Sequence, residues 1–303
     1  MKARDLIGRL NWATLGWSSP PDSYLTCRIR TDGAGAQIQA MISVLLFARR
    51  FGFAYVHTPF ETMEHAPDGD GPGWARAWEK TMNIGDGELT RSDLPDLPLV
   101  PVRNCHFIRK RRGVIQILKQ CHAYADLHPD DYELILPDLR ARYQRSLPAS
   151  HAAPRTGPLR IALHLRRGDV TASDAGRFTA TAQVARQMKD LRSLLQSLAI
   201  AHEFEIYSVG EPGDFRELDD LSPAFHLNEN AIDTFHRLVA ADILLTAKSS
   251  FSYVAALLSG GVKLYEPFWH APLNDWVTIG DGAFDGAKFR RVLEAYMKRR
   301  ETR

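Results

Sequence analysis

Cysteine is scarce in this chain: Cys27, Cys105 and Cys121 are the only three, and no two of them form a CxxC pair. So odd and scattered a set supports neither a disulfide framework nor a thiolate zinc site, and a reducing, cytoplasmic setting is expected. No apolar run approaches the ~18 residues of a membrane helix, so no transmembrane segment is expected. Met1 to Asn11 carries charges without an apolar stretch of signal-peptide length, which predicts a protein that stays where it is made. A dominant charge is also lacking, since 38 Lys and Arg face 36 Asp and Glu. That balance gives no long-range field for capturing nucleic acid, so any anion site has to be local. HExxH and DxD arrangements are missing too, which predicts chemistry with no metal and no cofactor beyond the substrate. No internal repeat or low-complexity tract is visible.

What remains is an ordinary globular composition, 45% hydrophobic and 24% charged over 303 residues, enough for two domains. Tyr24 to Arg30 alternates like a strand, Thr31 to Gly35 turns, Gln37 to Phe51 has a helical apolar pattern, and Phe53 to His57 is strand-like again, giving one βαβ unit. Gly52 stands where a helix C-cap glycine belongs. Residues 58–105, rich in Gly, Pro, Asp and Trp, predict loops around a short helix near Trp74 to Lys80. Ser146 to Pro158, with prolines at 148, 154 and 158, predicts a linker that divides a domain 1–152 from a domain 153–303. Beyond it the pattern alternates: strand 159–165, helix 180–199, strand 204–209, helix 230–241, strand 243–247, helix 250–259, strand 262–266, and a last helix 287–300. This is the signature of a doubly wound α/β domain.

The most informative run is Ile161 to Val170, where an apolar strand ends in His164, Arg166, Arg167 and Asp169. Side chains alternate along a strand, so His164 and Arg166 share a face opposite Ile161, Leu163 and Leu165. Gly168 turns the chain there and leaves the charges at the carboxyl end of the strand, where open α/β sheets bind ligands. Two adjacent guanidinium groups suit the oxygens of a diphosphate. Asp169 offsets part of their charge, and a structural Arg167–Asp169 pair that leaves Arg166 alone for the ligand stands beside the reading in which both arginines bind. The Arg-Gly-Asp tripeptide at 167–169 carries little weight as an adhesive motif directly after a buried strand.

Four further segments carry candidate chemistry. Asp32-Gly33-Ala34-Gly35-Ala36-Gln37 joins a strand to a helix, either as a plain turn or as a backbone cradle for an anion. Thr246 to Ser252 begins a helix whose serines can cap it or receive a phosphate. Asn228 to His236 leads into a helix with Asp233 near its start, a place that caps and dipole partners also occupy. Asp174, after Thr171-Ala172-Ser173, is a solvated loop carboxylate or a base for an acceptor hydroxyl. The Arg109 to Arg112 run reads as surface or as a patch for an acidic acceptor. His57, His270, Trp269 and Trp276 could shape a sugar pocket, with Trp269 covering a core edge.

The segment from His164 to Asp169 resembles the HxRRxD motif of the fucosyltransferase superfamily that includes the α-1,2, α-1,6, nodulation and protein O-fucosyltransferases. The glycine-rich turn at 32–37 and the Ser249-Ser250-Phe251-Ser252 stretch resemble two further motifs of that family, in the family's order. Tyr253-Val254 departs from the tryptophans usual in the α-1,2 branch. The resemblance implies a GT-B-like α/β protein, two Rossmann-like domains facing a cleft, with the acceptor on the N-terminal side and the nucleotide sugar on the C-terminal side. It implies an inverting, metal-independent transfer of L-fucose from GDP-fucose to a hydroxyl of a glycan or glycolipid. Arg166 would neutralise the departing GDP and Asp174 would act as base. Gly33, Gly35, Gln37, His164, Arg167, Ser249, Ser250 and Phe251 would line the donor site, and Asp233 or its neighbour Thr234 would read the guanine. The alternative is a non-catalytic protein that binds a nucleotide sugar or anionic glycan.

Overall fold

The computed structural model describes residues 12, 23–152, 157–174 and 176–302. Met1 to Asn11 and residues 153–156 of the expected linker lie outside them. The chain divides into two compact units between Ser146 and Leu147, while the sequence reading put the boundary after residue 152.

In the first unit five short strands, β1 (Ser23–Cys27), β2 (Ala54–His57), β3 (Leu89–Thr90), β4 (Leu99–Pro101) and β5 (Val114–Leu118), form a sheet in the order β3-β2-β1-β5-β4. Every pairing in it is parallel. The helix Ala34–Phe51 joins β1 to β2 and is buried along most of its length, as an almost uninterrupted apolar sequence requires. It stops at Gly52, whose φ of 64° is left-handed and whose N–H bonds back to Ala48 and Arg49, a C-terminal cap that glycine adopts without strain. A second helix runs from Gly71 to Met82, with the Asp70 carboxylate accepting from the Gly73 N–H. β5 is the neighbour of β1 that the sequence reading missed. Its centre is Gln116, a buried residue whose carboxamide bonds to the Arg109 backbone, so the strand lacks a clean apolar alternation.

The second unit holds β6 (Leu159–His164), β7 (His202–Ser208), β8 (Ala224–Leu227), β9 (Ile243–Leu245), β10 (Val262–Tyr265), β11 (Val277–Gly280) and β12 (Ala283–Phe284), in the order β12-β11-β10-β9-β6-β7-β8. All pairings are parallel except the β11–β12 edge. From β6 to β11 this is the strand order 3-2-1-4-5-6 of doubly wound dinucleotide folds. Leu159, Ile161, Leu163 and Leu165 pack with Val184, Met188, Leu191 and Leu195 of the helix Thr181–Ser197, the face that alternation assigns to them. The helices Ala231–Val239, Ser250–Leu258 and Gly286–Glu301 occupy the other predicted positions. Both units are therefore α/β with parallel-dominated sheets. Among the described residues no helix is long and apolar enough to cross a membrane.

Candidate functional site

Connectivity alone singles out one place in the second unit. The chain leaves β6 towards β7 and β8, then returns to β9 on the other side of β6. The carboxyl ends of β6 and β9 thus flank the point where the winding reverses, and a crevice opens there because the two connections diverge to opposite faces. His164 to Arg167 follow β6, and Thr246 to Ser249 follow β9. Pairing continues just past the strand, with the Leu165 N–H on the Tyr207 carbonyl and the Ser208 hydroxyl on the Leu165 carbonyl, so the charged turn starts from a fixed base.

Around that base lies a small pocket lined by His164, Arg166, Arg167, Arg177, Thr179, Gln187 and Glu266, together with apolar strand-end residues. Gly168 turns the chain with φ 83°, a left-handed value that costs other residues roughly 1 kcal/mol or more. This turn corrects the expected pairing. Asp169 bonds to Arg166, not Arg167, at 3.1 Å to Nε and 2.5 Å to Nη2, because the turn brings residues three apart together. Arg177 stands 3.7 Å from the same carboxylate. Arg167 points elsewhere: its guanidinium donates to the carbonyls of Arg166 and Thr179 and to the Thr181 hydroxyl, and lies 4.3 Å from the Phe178 ring centre. Arg167 is thus a braced structural cation, and Arg166 keeps guanidinium hydrogens beyond those that Asp169 holds.

His164 lines the same pocket, its ring 5.4 Å from Phe251, which in turn lies 5.5 Å from Phe235. Burial, and after it the charges of Arg166 and Arg167, push its pKa down to about 3. It is therefore a neutral hydrogen-bonding group near pH 7, with its Nδ1 buried and unbonded. The serine motif is mainly architectural. Ser249 Oγ caps the helix by accepting from the Phe251 N–H at 3.2 Å, and Ser252 Oγ ties down Ala247. Ser250 opens the helix beside them. Tyr253, where the resemblance lapses, packs on Trp276 and donates to the Ala271 carbonyl at 2.8 Å.

Other predicted residues are not among those that line this pocket. Asp174 is exposed and closes its own turn by accepting from the Thr171 N–H. Asp233 is exposed on the first turn of its helix, with His151 Nε2 at 3.6 Å, and Thr234 is half-buried beside it. Gln37, expected at the donor, is buried in the first unit and gives its amide to the carbonyls of Asp32 and Thr62. Gly33 has φ −64°, so neither strain nor special freedom explains the glycine there; Gly35 is buried in the first helical turn. His57 binds Glu79 at 2.7 Å and Trp276 is fully buried, so neither lines a sugar pocket. Trp269 is 67% exposed and stacked on Phe268, which corrects its expected role at a core edge. Lys110 of the basic run packs over Phe53 and bonds to the Gly52 carbonyl. Among the described residues no group of three His, Cys, Asp or Glu is placed to hold a metal ion.

The sequence reading missed Arg177, Gln187 and Glu266. Glu266 directly follows β10, so the strand-end rule that marked His164 applied to it equally. Gln187 interrupts the apolar stripe of Val184, Met188 and Leu191, and that interruption was its signal.

No family model and no curated protein matches the sequence. Among solved structures, the chain is similar to an arginine-to-lysine mutant of Arabidopsis thaliana FUT1 in complex with GDP, at 13% identity over 91% of this chain and 76% of that one, with a TM-score of 0.44. It is similar to the fucosyltransferase NodZ from Bradyrhizobium at 15% identity over 79% and 94%, with a TM-score of 0.48. A glycosyl transferase family 9 structure from Veillonella parvula overlaps at 9% identity over 94% and 98%, with a TM-score of 0.44. Overlap at this level is partial, and the chemistry has to come from the side chains themselves.

Proposed function

We propose that the crevice between β6 and β9 holds the diphosphate of a nucleotide sugar, and that the protein is a glycosyltransferase taking L-fucose from GDP-fucose. The observation that carries this reading is the gathering of Arg166, Arg167 and Arg177 on one pocket at the winding reversal, with His164 kept neutral beside them. Three cations around a concave, partly buried space suit a dianion. The HxRRxD resemblance supplies guanosine and fucose.

In this scheme Arg166 approaches the diphosphate while Asp169 fixes its orientation, and its charge stabilises the phosphate oxygen that gains an electron pair as the anomeric bond breaks. Arg167, braced by Thr179 and Thr181, supplies fixed positive charge. His164 gives a neutral hydrogen bond. Ser249, Ser250 and Phe251 place the loop after β9, and Gly33 and Gly35 offer backbone N–H groups at the start of their helix. The acceptor oxygen attacks the anomeric carbon from the face opposite the leaving GDP, which inverts its configuration, and Asp174 takes the acceptor proton. Asp233 or Thr234 faces the guanine. The acceptor is a glycan or glycolipid hydroxyl, transfer needs no metal, and the setting is cytoplasmic.

Thermal unfolding with GDP, UDP, ADP and their sugars, with and without chelator, tests the reading. A ligand at 100 times its Kd stabilises the native state by about 2.7 kcal/mol. GDP and GDP-fucose are expected to raise Tm, with no effect of chelator; no shift with any nucleotide would end the proposal. One observation favours the second reading, a binding protein without catalysis: Asp174 is engaged in its own turn and does not line the pocket. Asp174→Asn separates the two. A base there predicts a roughly 10²–10⁴-fold loss of turnover at unchanged GDP affinity. Wild-type binding without GDP release across an acceptor panel would establish the second.

A further inference from the structure

Five of the residues lining the pocket of the second unit carry a buried side-chain atom that makes no hydrogen bond: His164 Nδ1, Arg177 Nε, Thr179 Oγ1, Gln187 Nε2 and Glu266 Oε2. Buried polar atoms are nearly always bonded, since leaving one dry costs free energy. Such a gathering on one pocket describes a surface suited to meeting a polar ligand.

The chemistry of the set constrains that ligand. Arg177 and Gln187 offer only hydrogens at those atoms, and a phosphate oxygen would satisfy them. Glu266 Oε2 is an acceptor, and an ionised phosphate brings it nothing but repulsion. Glu266 is 6% exposed at the end of β10, with Lys248 Nζ 3.8 Å from its other oxygen. Burial raises its pKa, and Lys248 opposes that rise. Gln187 is placed to donate a side-chain hydrogen bond that favours the carboxylate, yet Nε2 and Glu266 Oε2 fall outside good hydrogen-bond geometry. A neighbouring donor and acceptor that do not satisfy one another match a hydroxyl, which donates one hydrogen and accepts others.

We propose that Glu266 and Gln187 form a hydroxyl-reading pair, in which a ring hydroxyl of the nucleotide sugar donates to Glu266 Oε2 and accepts from Gln187 Nε2. This rests on the diphosphate reading of the same crevice. The hydroxyl belongs either to the ribose or to the transferred sugar, and the pair acts on binding specificity, with no part in bond breaking.

Isothermal titration with inorganic pyrophosphate, GDP, 2′-deoxy-GDP and GDP-fucose, on the wild type, Glu266→Gln and Gln187→Leu, tests it. A hydrogen bond to a charged group corresponds to roughly 10- to 100-fold in affinity. Both variants are expected to bind pyrophosphate within twofold of the wild type and to lose about that factor for the ligand bearing the hydroxyl. Loss on GDP but not on 2′-deoxy-GDP identifies a ribose hydroxyl; loss on GDP-fucose alone identifies the transferred sugar. If the variants shift Tm but weaken all four ligands equally, or none, the pair only holds an ordered water or the fold, and the proposal is overturned. A wild type that binds GDP while the variants behave normally sinks this inference alone. A wild type that binds neither pyrophosphate nor GDP sinks the diphosphate reading with it.

Discussion

The two units are wound alike but finished differently at the point where the winding reverses. In the first, the chain reverses between β1 and β5, and a small pocket lies at the end of β1. There Arg30 is tied to Asp32 through two nitrogens and to Gln120 at 3.1 Å, Gln37 is bonded to two loop carbonyls, and the Thr26 and Thr58 hydroxyls bond to each other at 2.7 Å. None of the residues lining that pocket carries a buried side-chain polar atom lacking a partner. In the second unit the equivalent place holds three arginines and five unbonded polar atoms. A shared topology offers a crevice in both, and the two differ in how fully their polar side chains are hydrogen-bonded.

Five substitutions at four positions probe this contrast. Removing a preorganised cation aimed at developing charge lowers turnover by roughly 10²–10³-fold. Arg166→Ala is accordingly expected to abolish useful GDP release while circular dichroism and Tm stay near wild type, and Arg166→Lys to restore little, since an ammonium lacks the planar fork. Near-normal turnover in Arg166→Ala would remove the basis for calling the second pocket the active one. The next effect concerns pH. His164 has a pKa near 3 when folded against 6.5 as its ordinary value, so the unfolded chain binds its proton first as pH falls. Its neutral burial favours the fold fully above pH 6.5 and loses that contribution steadily towards pH 3. Between pH 7 and pH 5 this amounts to about 2 kcal/mol, and urea titrations of His164→Gln should show a pH dependence shallower by that amount.

Gln37→Ala sharpens the comparison from the first unit. It strands the carbonyls of Asp32 and Thr62 and is expected to cost about 1–3 kcal/mol of stability while GDP affinity stays within twofold. A selective loss of GDP binding at wild-type Tm would return Gln37 to the ligand. The smallest change is Gly168→Ala, where a left-handed φ of 83° meets a Cβ that Val209 allows at 3.5 Å. About 1 kcal/mol of strain follows, along with weaker diphosphate binding as the Arg166–Asp169 pair loses its turn.

Much of the framework was legible because periodicity and punctuation agree. Gln37 to Phe51 reads as a buried helix closed by Gly52, and Ile161, Leu163 and Leu165 announce the core face of β6. The elements that escaped, β5 with Gln116 at its centre, the short strands β3, β4, β8, β11 and β12, and the charge-rich helix Leu136–Ser146, carry too few apolar repeats for a period to show. At the site, the strand-end position of His164 and Arg166 could be inferred from alternation and one glycine. The partner of Asp169 could not, since neighbours in sequence give no measure of how a turn folds back. Likewise Gln37 has the residue type of its motif, and its bonds to the carbonyls of Asp32 and Thr62 come only from the fold.

The sequence by itself determined the two α/β halves, the helix that Gly52 closes and the strand end on which the arginines cluster, because these follow from local spacing of apolar, glycine and charged residues. Only the tertiary structure decided that Glu266 from β10, Gln187 and Thr179 from the helical side, and Arg177 from the loop meet at that strand end. Which polar atoms stay unbonded depends on distances between segments remote in the chain, and no local pattern encodes those distances.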